Sequence, residues 1–319
     1  MATPIPTTKL VIIGAGLAGA TFSHLATQHH IPTTIIEKSR GTGGRAGSKR
    51  LSCGGIDQGA SILGFSDEDL TDIREHLLEQ NVLQRWQSGY VGTPRMSSIT
   101  RYLSSHAELV TETKVQHIER SYDDYWLLRD DKYQPVIKAE YVMIATPALQ
   151  ASMLLATIPN TSTLLLQANR AGANTLSQWV MWLRTSQTDA APLQFSVHPS
   201  LETLIKDSDK PGRERQDDDL WVVQASPEWS QTHLDSDKAE VQAALQQAFS
   251  EVIDCEVYEA GEPHRWLLGR QAMPVSSSSF LWDNQLNIGL IGDWLCQGDA
   301  EGAMLSAQYA FDYLRKKVL

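Results

Sequence analysis

Gly14, Gly16 and Gly19 follow the spacing G-x-G-x-x-G within GAGLAG, and three glycines so placed could cradle a phosphate. Gly14 can turn sharply out of a strand. Gly16, without a Cβ, lets backbone approach an anion, and Gly19 lets a helix pack close to its strand. Leu17 and Ala18 open a helical segment whose free N–H groups and partial positive charge would face that anion. Glu37 stands where a carboxylate can accept hydrogen bonds from ribose hydroxyls. Directly after it come Lys38, Arg40, Gly43, Gly44 and Arg45, cations interleaved with flexible backbone, which suit a doubly charged pyrophosphate. The chemistry these residues could do is to bind a dinucleotide.

The elements that must position them surround them in the chain. Lys9–Ile13 is a short β-branched run that reads as a buried parallel strand. Ala20–Gln28 has helical composition, and Thr33–Ile36 is a second strand that ends at Glu37. Strand, glycine turn, helix, strand and acid together make the dinucleotide-binding βαβ fingerprint. A matching cluster lies near the other end of the chain. Gln285–Ile291 reads as a strand that runs into Gly292-Asp293-Trp294, and Glu301-Gly302-Ala303 opens a helix reaching Arg315-Lys316-Lys317. This strand-end Gly-Asp and the helix after it resemble those of two-dinucleotide flavoproteins, which implies that Asp293 sets a carboxylate beside the sugar–phosphate arm of a flavin dinucleotide. The helix N-terminus at Glu301, Gly302 and Ala303 would then face the flavin ring, where negative charge gathers on reduction. Read singly, Asp293 is also compatible with an ordinary turn residue, and Glu301 with an ordinary first-turn acid.

The spacing R-x-x-G-G-R at Arg40–Arg45 is similar to the element with which two-dinucleotide flavoproteins wrap the pyrophosphate a second time. More widely, GAGLAG, EKSRGTGGRAGSKR at 37–50, DQGA at 57–60 and YVGTPRMSSIT at 90–100 resemble the renalase-like flavoproteins of the flavin-containing amine oxidase superfamily. VMIATPALQ at 142–150, WVVQASPEWS at 221–230, PHRW at 263–266 and GDWLCQGDAEGAMLS at 292–306 fit the same family. The family's aromatic segment after DQGA is replaced here by Ser61-Ile62-Leu63-Gly64-Phe65, a difference on the substrate side.

The resemblance implies an α/β fold: a Rossmann-like FAD-binding domain with an inserted mixed-sheet α+β substrate domain, as in p-hydroxybenzoate hydroxylase and monoamine oxidase. It implies a discontinuous FAD domain over 1–65, 95–147 and 262–319, with 66–94 and 148–261 on the substrate side. It implies non-covalent FAD, with Val115 where a strand backbone meets adenine. It also implies an oxidoreductase that oxidises the 2- and 6-dihydro isomers of NAD(P)H, with O2 as acceptor and H2O2 as product. An amine oxidase acting on a small amine, or a flavin-binding redox sensor without turnover, stays open beside it. No residue is fixed as catalytic; His264, Arg265 and Trp266 are candidates to border the flavin ring or hold a substrate phosphate, and equally a structural pair beside a core Trp.

Composition bounds these readings. With 27 Lys and Arg against 38 Asp and Glu among 319 residues, the formal charge is −11, which disfavours nucleic acid as a partner. The apolar stretch Leu10–Phe22 is too short to span a bilayer at about 20 residues and lacks the flanks of a signal peptide. Three widely spaced cysteines, Cys53, Cys255 and Cys296, offer no disulfide framework or zinc spacing, so a reducing, cytoplasmic setting without metal is expected. Cys296 reads as a small buried hydrophobe. Asp67-Glu68-Asp69 with Leu70, Ile73, Leu77 and Leu78 predicts an amphipathic helix capped by Ser66. Leu109–Ile118, Tyr125–Leu128, Tyr141–Ile144 and Leu220–Val223 read as strands, and Lys238–Phe249 as a helix. Lys206–Asp219 reads as a solvated loop. Oligomeric state is not set by any of these features.

Overall fold

A strand buried on both faces carries apolar residues at successive positions, and the first apolar run does so. In the computed structural model, which describes residues 4–52, 54–214, 217–272 and 278–317, this run forms β1 (Thr7–Ile13). Cys53 lies outside the described residues. Leu10 and Ile12 pack into one core with residues of α1 (Leu17–Gln28), while Val11 and Ile13 pack into a second core. The chain continues through β2 (Thr33–Ile36), the hairpin of β3 (Lys49–Leu51) and β4 (Gly54–Ile56), and α2 (Thr71–Glu79). A second hairpin of β5 (Leu83–Trp86) and β6 (Gly89–Gly92) leads to α3 (Ser97–Leu103).

Next come β7 (Glu108–Val110), β8 (Val115–Arg120), β9 (Trp126–Asp130) and β10 (Pro135–Ile144). The expected single strand over 109–118 is thus two. Glu112 is left-handed at φ 53°, and the Thr113 N–H turns to the Glu37 carbonyl at 3.0 Å. After α4 (Ala148–Leu155) and α5 (Ser162–Gly172) the chain forms β11 (Thr175–Thr185), β12 (Leu193–His198), β13 (Leu201–Lys206) and β14 (Asp219–Ala225). Then follow α6 (Pro227–Thr232), α7 (Lys238–Ser250), β15 (Val257–Ala260) and β16 (His264–Gln271). The last elements are β17 (Leu281–Asp283), β18 (Ile288–Leu290) and α8 (Ala300–Lys317).

Two sheets organise these elements. In the first the order is β17-β18-β10-β1-β2-β7, with β9 on the first half of β10 and β8 beyond it. Strands β7, β2, β1, β10 and β18 run parallel, and the direction of chain progression reverses between β1 and β10. Such a reversal opens a crevice at the carboxyl ends of the two strands, where the next turns diverge. The second sheet is antiparallel, in the order β12-β13-β14-β11-β15. Its long central strand splits by parity. Trp179, Met181 and Leu183 meet Val241, Leu245 and Phe249 of α7, whereas Val180 and Trp182 join the core shared with β1 and α1. That shared core holds the two sheets together.

Three expectations shift. Strand β16 pairs with β11, so residues 264–271 belong to the second sheet and not to the nucleotide-binding one. Conversely, Ala151, Leu155, Leu164 and Ala168 of α4 and α5, within the stretch 148–261 expected to belong with the second sheet, pack in the core on the parallel sheet. Asp67, not Ser66, caps the turn before α2: its carboxylate accepts the Asp69 N–H at 3.0 Å. Helix α7 forms where expected, with the Asp237 carboxylate accepting the Ala239 N–H at 2.8 Å. Among the described residues no helix is long and apolar enough to cross a membrane.

Helix α1 also carries a buried histidine. His24 lies 5.4 Å from the His76 ring and 6.2 Å from the Tyr102 ring, and its Nε2 meets Gln28 Nε2 at 2.9 Å. Burial, then the nearby charges of His76 and His106, push its pKa down to about 4. The folded pKa is below the unfolded one, so the unfolded chain binds the extra proton first. Stability from this group is therefore full above about pH 6.5 and declines as pH falls toward 4, by roughly 3 kcal/mol in all. Urea unfolding across this range should show a flatter decline for His24→Gln than for the native chain. Parallel profiles would contradict the assignment.

Candidate functional site

The crevice between β1 and β10 gathers the glycine turn. Gly14 leaves β1 at φ 106°, donates to the Ile36 carbonyl at 2.9 Å, and has Ala145 so close that a Cβ would meet its carbonyl oxygen at 2.8 Å. A Cβ on Gly19 would overlap the Gly14 carbonyl. At Gly16 nothing lies within 4 Å of the position a Cβ would take, so open space faces the start of α1 at Leu17 and Ala18. The first turn of α1 holds no acidic residue to oppose an anion there. Beside it, the Thr146 hydroxyl is buried without a partner.

Glu37 is buried at the end of β2, where its carboxylate accepts the Ala15 and Ser39 N–H groups, each at 2.8 Å. A carboxylate offers about four acceptor positions, so two N–H bonds leave room for hydroxyl donors. Segment 110–113 closes over it: the Glu37 N–H donates to Val110 and the Thr113 N–H to Glu37. Val115 is buried just beyond, in the core with Ile13 and Ile36. Lys38 is exposed, with its ammonium 3.4 Å from Gln150 Oε1, and Arg40 is exposed as well.

The second glycine loop lies on the first. Gly43, at φ 130°, donates to the Ala15 carbonyl at 2.8 Å and bridges to Gly16, with Gly44 following in the same approach. This sets Arg45 to cross to the far end of the chain. Its guanidinium grips the Asp293 carboxylate through two bonds of 2.8 and 2.5 Å and lies 3.4 Å from the Gly269 carbonyl. The two cofactor motifs, 248 residues apart, thus meet directly.

At the start of α8 the first-turn acid has partners within the protein. Glu301 accepts from the Asp67 N–H at 2.9 Å and from the Ser66 hydroxyl at 3.3 Å, bracing the turn before α2. Gly302 is a packing glycine, since a Cβ there would overlap the Cys296 carbonyl, and its N–H is capped by the Asp299 carboxylate at 2.7 Å. Ala303 is buried behind it. On β16, Arg265 turns to the Leu234 carbonyl and lies over the Trp179 ring on the α7 side, so it does not face the crevice. Trp266 points the other way and donates its indole N–H to the Gln58 carbonyl at 3.4 Å, with the exposed His264 edge-on at 4.4 Å. Partial desolvation of its ring against Trp266, followed by the charges of Lys49 and Lys238, lowers the His264 pKa although the residue keeps an open side to solvent.

A seam of polar residues joins this crevice to the second sheet, and sequence reading missed it. The Ala60 N–H donates to the Arg45 carbonyl at 2.9 Å, and Gln224 of β14 donates to the Gly59 carbonyl at 2.7 Å. Asp57 accepts from the Ser48 hydroxyl at 2.6 Å and the Met96 N–H at 3.2 Å, and pairs with Lys210 at 3.3 Å and with Arg213. Asp207 completes the quartet at 2.6 Å from Lys210 and 3.3 Å from Arg213. The expected solvated loop is therefore buried at Asp207, Lys210 and Arg213. Burial works to raise the Asp57 pKa, but Lys210, Arg213, Ser48 and Met96 reverse this and hold it below the usual carboxylate range.

Comparison with known proteins agrees with the architecture. A model of the NAD(P)-binding Rossmann-like domain matches residues 12–77. The structure resembles a protein assigned as a protoporphyrinogen oxidase from Exiguobacterium sp. 255-15, with TM-score 0.72 and 13% identity, over 98% of this chain and 100% of that one. It also resembles a putrescine oxidase with putrescine bound, with TM-score 0.66 and 9% identity, over the same shares of the two chains. At such identities the likeness establishes the fold: a parallel Rossmann-like sheet joined to a second, antiparallel sheet.

The open space at Gly16, the acceptor positions left on Glu37 and the orphaned Thr146 hydroxyl all fit a dinucleotide in the crevice. Glu37→Ala and Asp293→Ala should each weaken dinucleotide binding, with FAD as the probe, by about 10- to 100-fold, the worth of a hydrogen bond to a charged group. Gel filtration with absorbance at flavin wavelengths checks this, and full retention in both variants refutes the site. Arg213→Met leaves two buried carboxylates sharing Lys210 alone and should lower stability by about 3–5 kcal/mol in urea unfolding. An unchanged midpoint would refute the quartet.

Proposed function

We propose that this chain is an FAD-dependent oxidoreductase that oxidises the 2- and 6-dihydro isomers of NAD(P)H and passes the electrons to O2, giving H2O2. The observation that carries the cofactor assignment is the clasp of Arg45 on Asp293 over the glycine turn. A nucleotide-binding βαβ unit alone serves many enzymes. A second glycine loop laid on the first, and tied to a carboxylate from the last strand of the sheet, suits a dinucleotide carrying a further ring beyond the pyrophosphate. The substrate specificity rests on the resemblance of the sequence blocks to renalase-like flavoproteins.

In this reading Glu37 holds the adenosine ribose, the start of α1 and Arg40 meet the pyrophosphate, and Asp293 holds the sugar-alcohol arm. Bound FAD supplies a two-electron acceptor on its ring. The second sheet, with Trp266 and Gln224 at the seam, forms the substrate-side half of a discontinuous two-domain chain. A dihydropyridine that loses hydride becomes an aromatic pyridinium, and no proton leaves with it. The chain is then required to orient the donor carbon and exclude water, and no general base is needed. His264 accordingly needs no role in proton transfer.

A second reading, oxidation of a small amine, is favoured by the fold shared with a putrescine oxidase. Anaerobic mixing of the yellow protein with borohydride-generated NADH isomers, ordinary NADH and a panel of amines separates the two. The isomers should bleach the flavin rapidly, while ordinary NADH and the amines should not. Bleaching by amines alone would replace the proposal with the second reading. FAD bound with no bleaching by any donor would point to a redox sensor.

A further inference from the structure

Gln58 carries an unfilled donor at the seam. Its side chain is 5% exposed, and its Nε2 is buried with no hydrogen-bond partner. Leaving such a group unpaired is costly, and a native structure that keeps one calls for a reason. Of the other orphaned polar atoms, those of Thr21, Ser23 and His24 are on α1, Ser104 closes α3, Trp221 is on β14, Thr93 follows β6, and Thr146 stands at the glycine turn. Gln58 instead sits where the two sheets meet beside the crevice.

The backbone around it is fixed on every side. The Gln58 carbonyl takes the Trp266 indole N–H, the Gly59 carbonyl takes Gln224 Nε2, and the Ala60 N–H holds the Arg45 carbonyl. Arg45 in turn grips Asp293. On the other side Asp57 is held by Ser48, Met96, Lys210 and Arg213. The backbone that carries the amide is thus fixed on every side, while the amide's own donor goes unused. A donor carried on a fixed backbone binds an acceptor at a smaller ordering cost.

We propose that Gln58 is a specificity-determining residue, donating its side-chain N–H to the carbonyl of a planar, amide-bearing heteroaromatic ring bound between Trp266 and the crevice. This rests on the dihydropyridine reading above and deepens it. The carboxamide of a nicotinamide ring supplies such an acceptor. A protonated amine carries donors only and would leave Gln58 Nε2 unpaired, so this atom favours the carbonyl-bearing ring over an ammonium.

The test titrates the FAD-loaded protein by calorimetry with three oxidised dinucleotides: NAD, its 3-acetylpyridine analogue, and the pyridine analogue without a 3-substituent. The first two carry the carbonyl and the third lacks it. The native chain should bind the carbonyl-bearing pair about tenfold more tightly than the third. In Gln58→Leu that preference should vanish, with FAD retained and affinity for the third ligand unchanged. The near-isosteric Gln58→Glu replaces donor by acceptor and should lose the acetylpyridine ligand by at least tenfold, which keeps the test valid where the leucine variant does not fold. The same preference in native and variant proteins, or none in the native protein, overturns the proposal. Failure of the isomers to bleach the flavin, with the ligand preference intact, would overturn the reaction and leave the Gln58 assignment standing.

Discussion

The contact between Arg45 and Asp293 depends on nearly everything else in the nucleotide-binding half. Asp293 is placed by β18, which lies beside β10, which lies beside β1. Arg45 is placed by Gly43 bonding to Ala15, at the end of β1. A slip of one residue in any of these parallel pairings turns side chains to the opposite face and parts the two groups. The pair is also asymmetric in exposure, 30% for the Arg45 side chain and 6% for Asp293. Desolvation offsets much of its Coulombic gain, so its main effect is positional: it fixes where the last strand of the sheet meets the second glycine loop.

That neutral pair changes how the acidic chain could hold an anion. With a formal charge of −11, the whole-protein field repels a dinucleotide. Arg45, which sequence reading assigned to the pyrophosphate, has its charge met by Asp293. The positive potential at the crevice comes from the start of α1, where no acidic residue stands in the first turn. A local dipole thus works against the net charge over a few ångströms, inside the Debye length of about 8 Å at physiological salt.

What was legible in the sequence has a common physical origin. The β1–α1–β2 unit, Glu37, and α7 with its buried Val241, Leu245 and Phe249 all follow from short-range rules: periodicity, capping and glycine geometry. What escaped depends on partners far along the chain. The segment containing Lys210 and Arg213 mixes charges as a solvated loop does, and only Asp57, more than 150 residues earlier, reveals it as buried. Glu301 looks like a first-turn acid of α8 until Ser66 and Asp67 arrive beneath it. Arg265 and Trp266 are neighbours in sequence but face opposite sides of β16, a distinction that requires the pairing register with β11. The boundary shifts at α4, α5 and β16 have the same cause, since a helix or strand does not state which sheet it will cover or extend.

The seam turns on adjacent residues with opposite fates. Asp57 is charged, almost without exposure, and fully provided with partners; Gln58 is neutral, nearly as buried, and keeps an unpaired donor. Buried ion quartets are poor sources of stability, because hydrophobic replacements of similar volume often do as well or better. What such a quartet does provide is a single arrangement of the backbone that carries it. Here that backbone runs from Asp57 to Ala60, and it connects the loop after β13 to Arg45 and, through Gln224 and Trp266, to two strands of the second sheet. An unsatisfied amide in a loosely held segment would relax toward water or a neighbouring carbonyl. Held by the quartet on one side and by Arg45 on the other, the backbone at Gln58 keeps one course, and the unfilled donor it carries stays at the seam.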